Sequence, residues 1–249
     1  MRIHVRTTLV GLLLLAAVSR AETPSPDQVV TTLLHTQYCT PERPGQPPRE
    51  PLATMRRDPR PYLPFLRARV SLERLERIEG EKDFQEQRRE MFHAAWYLAL
   101  LGGDEERDFL MEQMRQAQRE GDQLTQQVNA WLSRTPPPSR EDAAFRQLVE
   151  HRGIVQGFEL NLLTDFKEVG DPRLRDLLLP RLDHDRDGRE GYIEYFMVTC
   201  REDPRVRARL RRMLEAPDDP SLEELLRRFF RDIVGEGRLA GPWGVVRSH

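Results

Sequence analysis

The strongest constraint on the fold of this chain is a repeated helix start. Gly170-Asp171-Pro172-Arg173-Leu174-Arg175 returns as Glu202-Asp203-Pro204-Arg205-Val206-Arg207, a period of about 32 residues. Gly103-Asp104-Glu105-Glu106-Arg107 is a weaker copy about two periods upstream. Aspartate at an N-cap accepts a hydrogen bond from an orphan amide, and proline at the first helical position loses nothing by lacking an N–H. Each strong copy continues with leucine-rich helical spacing, through Leu177, Leu178 and Leu182 and then Leu210, Met213 and Leu214. A further stripe comes at Leu222, Leu225, Leu226, Phe229, Phe230 and Ile233. No segment sustains the period-two alternation of a half-buried strand, so the fold class is all-α.

Upstream, helical spacing predicts a short helix from Pro26 to Tyr38 and another from about Asp83 to Leu101, stopped by Gly102-Gly103. A third runs from Asp104 toward Trp131, with a break or bend expected at Gly121. A fourth runs from Phe145 through Phe166, weakened or closely approached at Gly153 and Gly157. Residues 22–60 read as one helix followed by a proline-rich connector. Residues 61–135 read as a helical N-terminal half, 136–140 as a Pro136-Pro137-Pro138 linker, 141–234 as the repeat half and 235–249 as a glycine-rich tail.

In these residues the chain resembles the HEAT-like helical repeats, in particular the short bacterial type with a period near thirty. The resemblance is good from Gly170 to Ile233, fair from Phe92 to Met114, poor from Trp131 to Phe158 and absent before Pro61. It implies an α-α superhelix, a solenoid of antiparallel HEAT-like helix pairs, in which stacking neighbours close a core that no unit closes alone. A scaffold that binds a protein partner is the function such arrays imply.

The first 21 residues read as a signal peptide. Arg2 and Arg6 form a basic start, Thr7 to Val18 a short apolar run, and Ser19-Arg20-Ala21 a small-residue cleavage site before Glu22. About twelve apolar positions are too few for a spanning helix, which needs about 20. The expectation is an exported chain, periplasmic or secreted, with no stable membrane insertion after cleavage. Without Arg2, Arg6 and Arg20, 36 basic residues face 41 acidic ones. A mildly acidic chain argues against nucleic acid as a partner, because phosphate neutralisation dominates that affinity. Cys39 and Cys200 would meet an oxidising compartment, where they either pair or leave Cys200 as a buried thiol.

One motif implies specific chemistry. Asp183, Asp185 and Asp187, followed by Gly188 and by Glu194, have the D-x-D-x-D-G-x5-E spacing of an EF-hand-like loop over 183–194. These four carboxylates are candidate Ca2+ ligands, and an acidic turn between helices is the alternative. Position eight of the loop, usually aliphatic, is Glu190. His35, His93, His151 and His184 are far apart in sequence and form no H-E-x-x-H pair. His93, on an apolar stripe beside Trp96, reads as a satisfied core residue. With no G-x-S-x-G, P-loop or Cys-His arrangement, no catalysis is expected, although distant residues can still converge into an enzyme site. The arginines at 205, 207, 209, 211, 212, 227, 228 and 231 read as helix faces with acidic partners. The sequence thus supports three functions, in decreasing order: interaction scaffold, calcium-binding structural or interaction protein, and enzyme with an unrecognised site.

Overall fold

The computed structural model describes residues 24–36, 50–80, 82–134, 139, 142–215 and 220–234. The signal-peptide residues, most of the proline-rich connector, Cys39, Pro136-Pro137-Pro138 and the tail lie outside the described residues. Within the described residues every regular element is helical and no strand forms. None of these helices is long and apolar enough to cross a membrane.

The helices are α1 (Pro26–Thr36), α2 (Glu50–Arg57), α3 (Leu63–Arg67), α4 (Leu72–Ile78), α5 (Phe84–Leu101), α6 (Asp104–Leu132) and α7 (Ala143–Glu168). After α7 come a 3-10 turn at Pro172–Leu174, the single turn α8 (Arg175–Leu178) and a second 3-10 turn at Pro180–Asp183. Helices α9 (Arg189–Thr199), α10 (Pro204–Glu215) and α11 (Pro220–Val234) complete the set.

Helices α6 and α7 form the longest contact. Their pairing order fixes them as antiparallel: Gln118 bonds Glu159, a Cβ on Gly121 would reach Val155, and Arg152 bonds Thr125. Helix α6 runs through Gly121 without a break, and this buried position is where the partner helix comes close. Gly153 and Gly157 leave α7 unbroken as well, and a Cβ at either would meet open space. Asp142 caps α7 by accepting from the amides of Ala144 and Phe145.

Helix α7 is packed on three sides, by α5, α6 and α9. Phe92 of α5 stacks on Phe158 at 6.4 Å between centroids, and the Trp96 indole donates to Glu168 at 2.7 Å. Residue 191 on α9 sits against Leu163. The N-terminal helices add Val30, Leu33, Leu34, Leu52, Met55 and Leu66 to one continuous buried cluster that extends to Phe229. The connector read at 22–60 therefore contains a helix. Pro51 sits in the first turn of α2, where its missing N–H costs nothing, and Leu52 and Met55, three apart, are its buried face.

The repeated segments explain how the C-terminal helices are joined. Helix α7 ends in a Schellman turn: Asp171 N–H donates to Phe166 C=O and Gly170 N–H to Lys167 C=O, with Gly170 at φ +69°. Asp171 then accepts from Arg173 N–H, and Asp203 likewise from the amides of Arg205 and Val206. The copies are stitched both ways. Arg107 reaches forward to Asp171 at 3.2 Å, and Arg175 reaches forward to Asp203 at 2.8 Å. Arg173 reaches back to Asp104 and Asp108, and Arg205 back to Asp176.

The two strong copies diverge after their prolines. Pro204 opens the twelve-residue α10, whereas the segment after Pro172 breaks into one α turn between two 3-10 turns. Pro180 causes this, since it can neither donate to the ladder nor fit beside the carbonyl four residues earlier. Leu174, Leu178 and Leu182 still bury completely. Cys200 is a buried thiol, 3.4 Å from the Thr199 hydroxyl, and burial pushes its pKa up.

Candidate functional site

The acidic loop begins in the 3-10 turn Pro180–Asp183 and runs into α9, so it enters from a tight turn rather than from an α-helix. Asp185 shapes it. One carboxylate oxygen accepts from Gly188 N–H at 3.1 Å; the other accepts from the Tyr192 hydroxyl at 2.6 Å and from Arg181 at 3.1 Å. A Cβ on residue 188 would lie 2.6 Å from the Tyr192 ring and 2.8 Å from Asp185, so this turn requires glycine. The buried Arg189 points back under the loop, its Nε 2.7 Å from Leu182 C=O.

Behind the loop lies a buried polar network. Glu159 accepts from Gln118 at 2.9 Å and lies 3.0 Å from the Tyr192 hydroxyl. Arg181 donates to the Tyr192 oxygen at 3.2 Å and grips both oxygens of Asp122 at 3.0 and 3.2 Å. Tyr192 has one proton and two carboxylate neighbours. Burial raises the pKa of Glu159 against the pull of Gln118, Arg181 and Tyr192. Burial acts in the same sense on Asp185, but the Tyr192 hydroxyl, the Gly188 amide and Arg181 outweigh it and hold that carboxyl below its ordinary range. The Tyr192 hydroxyl thus stands between the two carboxylates, 2.6 Å from Asp185 and 3.0 Å from Glu159.

The four sequence-predicted ligands do not converge. Asp183 pairs with Arg209 of α10 and Asp185 with Arg181. Asp187 pairs with Arg152 of α7 at 2.9 Å, and Glu194 with Lys167 of α7 at 2.9 Å. Each carboxylate thus has its own cation, and together the pairs tie the loop to two helices. Arg209, on the arginine run, is engaged in this tie and is only 22% exposed. Other members of that run also meet acids, Arg207 at Glu202 and Arg227 at Glu223.

A different cluster does converge. Among the described residues, His35, Glu86 and Glu90 are the one set of three histidine, cysteine or carboxylate groups whose ligand atoms all lie within 4.8 Å of one another. His35 Nδ1 is 3.3 Å from Glu90 Oε1 and 3.8 Å from Glu86 Oε1. The i,i+4 pair Glu86 and Glu90 is visible in the sequence, but nothing there brings His35 to it. His93, expected to be satisfied, is only half so. It hydrogen-bonds the Leu34 backbone, while its buried Nδ1 has no partner. Burial and nearby Arg89 lower its pKa, so the ring is held neutral.

In comparisons with known proteins, no family model, no curated protein and no solved structure matches the chain.

Proposed function

We propose that the chain is an exported helical-repeat scaffold, built of HEAT-like helix pairs, that binds a protein partner and catalyses no reaction. The observation that carries this reading is the two-way Arg–Asp stitching, repeated between successive copies of the helix-start segment. Contacts of one kind recurring from unit to unit are what hold stacked repeats in series. The binding surface is assigned to α7 and α9, where Leu160 and Val198 are about half exposed, at 47% and 58%. Export rests on the leader pattern of residues 1–21, and the acidic balance disfavours a nucleic-acid partner.

A photo-crosslinking residue placed at Leu160 or Val198 tests this reading in the extracytoplasmic fraction, with exposed Arg212 as the control position. The scaffold reading expects one discrete crosslinked protein from the first two positions and none from Arg212. Equal labelling from all three, or none, counts against it. Calcium binding by Asp183, Asp185, Asp187 and Glu194 is the second reading. It rests on their spacing, and the ion would have to displace Arg209, Arg181, Arg152 and Lys167.

A further inference from the structure

The geometry points to a divalent transition-metal site at the junction of α1 and α5, with His35 Nδ1, Glu86 and Glu90 as its protein ligands and zinc as the ion that fits. His35 lies in the last turn of α1, Glu86 in the first turn of α5 and Glu90 one turn later on the same face. Around a tetrahedral zinc with N and O ligands at about 2.0–2.1 Å, neighbouring ligand atoms stand about 3.3 Å apart. The observed separations from His35 Nδ1 are 3.3 Å and 3.8 Å. The third pair, Glu86 with Glu90, also lies within 4.8 Å, and Glu86, which is half exposed, is free to turn toward an ion between the three groups.

Charge favours the same conclusion. Two carboxylates one turn apart on a helix repel each other. Both pair with the same group, His35. A dication would neutralise both carboxylates and take the imidazole nitrogen as a third ligand. The donor set selects the ion class. Imidazole nitrogen with carboxylate oxygen suits zinc and its first-row neighbours, whereas calcium takes six to eight oxygens. Three protein ligands leave the fourth position to water.

The site is also held in place. Val30, Leu33 and Leu34 of α1 are buried in the common core, and Met91, Ala94 and Ala95 of α5 are buried beside Glu90 in sequence. His93, one turn after Glu90, bonds the backbone of Leu34, the residue before His35. The ligands thus project from two helices whose backbones are fixed to each other, as a preorganised metal site requires. Bound metal would clamp α1 to α5, coupling zinc to the folding of the N-terminal helices.

Titration calorimetry of the full chain, stripped with chelator and titrated with zinc chloride at neutral pH, tests the site. Wild type should bind one zinc through these ligands and melt at a higher temperature with the metal. His35→Ala, Glu86→Gln and Glu90→Gln should each weaken binding by at least the 10–100-fold typical of losing a mere supporting partner. His151→Ala and His184→Ala should bind as wild type does, and millimolar calcium should not compete. Circular dichroism reports whether His35→Ala stays helical; if it does not, the near-isosteric Glu90→Gln carries the result. Cobalt(II) in place of zinc should give a visible spectrum of nitrogen and oxygen ligation that is lost in His35→Ala. The site is overturned if wild type takes up no zinc at millimolar concentration, or if Glu90→Gln binds it with unchanged affinity.

Discussion

The acidic loop at 183–194 and the α1–α5 junction both gather carboxylates, yet they resolve their charge in opposite ways. In the loop, each of four carboxylates meets a separate cation, three of them on α7 or α10 and one in the adjoining 3-10 turn. At the junction, Glu86 and Glu90 both turn to the His35 imidazole. The loop has the spacing of a metal site and the electrostatics of a crosslink. The junction has no motif, but its electrostatics suit a metal site. Ligand spacing in sequence states which groups could converge; the cations that neighbouring helices supply decide whether a further ion is needed.

The comparison breaks most visibly at Arg181, which serves Asp122, Asp185 and the phenol oxygen of Tyr192 at once. Removing one partner of a largely buried charge network costs about 3–5 kcal/mol, because the remaining charges stay desolvated. Arg181→Ala should lower stability by that order in urea denaturation. A loss below about 1 kcal/mol would mean that the loop is not held by its internal cation.

Asp165 is a smaller and opposite case, a buried carboxylate whose one described donor is the Asn161 amide at 3.1 Å. Burial, helped by Glu168, raises its pKa well above the ordinary value. Between the unfolded value of about 3.9 and the raised native value, the native chain holds a proton that the unfolded chain has lost. The stability linked to that proton is fully present below about pH 4 and is lost as pH rises through the native pKa. Asp165→Asn should remove this loss and so stabilise the protein at neutral pH. Melts from pH 4 to pH 8 should show the gap between variant and wild type widening with pH; a constant gap contradicts the assignment.

The smallest effect belongs to Asp187, which is 71% exposed where it meets Arg152. Exposed pairs are worth roughly 0.2–1 kcal/mol, so Asp187→Asn should shift the urea midpoint only slightly. A large loss would show that the loop depends on all four of its pairs rather than on the network behind Asp185.

Much of the fold is legible in the sequence because its signals are local. The Asp-Pro starts give the capped turns at Asp171 and Asp203, and the apolar spacing from Phe145 to Phe166 gives the core of α7. Helix α2 is hidden because proline density outweighs the two-residue apolar face of Leu52 and Met55. The break after Asp171 is present in Pro180 but is masked by continuous leucine spacing. The functional chemistry is less legible. His35 lies 51 positions before Glu86, and Arg152 and Arg209 lie 35 and 26 positions from Asp187 and Asp183, the loop carboxylates they meet. Contacts at such separations are set by how helices pack, and no spacing rule within one helix or loop encodes them.

Thermal melting in millimolar calcium against chelator tests the contrast most directly, with wild type and Asp183→Ala compared side by side. A calcium site occupied at ten times its Kd would add about 1.4 kcal/mol. The neutralised crosslink predicts no calcium-dependent gain in either protein. A gain of that size in wild type that disappears in Asp183→Ala would contradict the account and restore the loop as a calcium site.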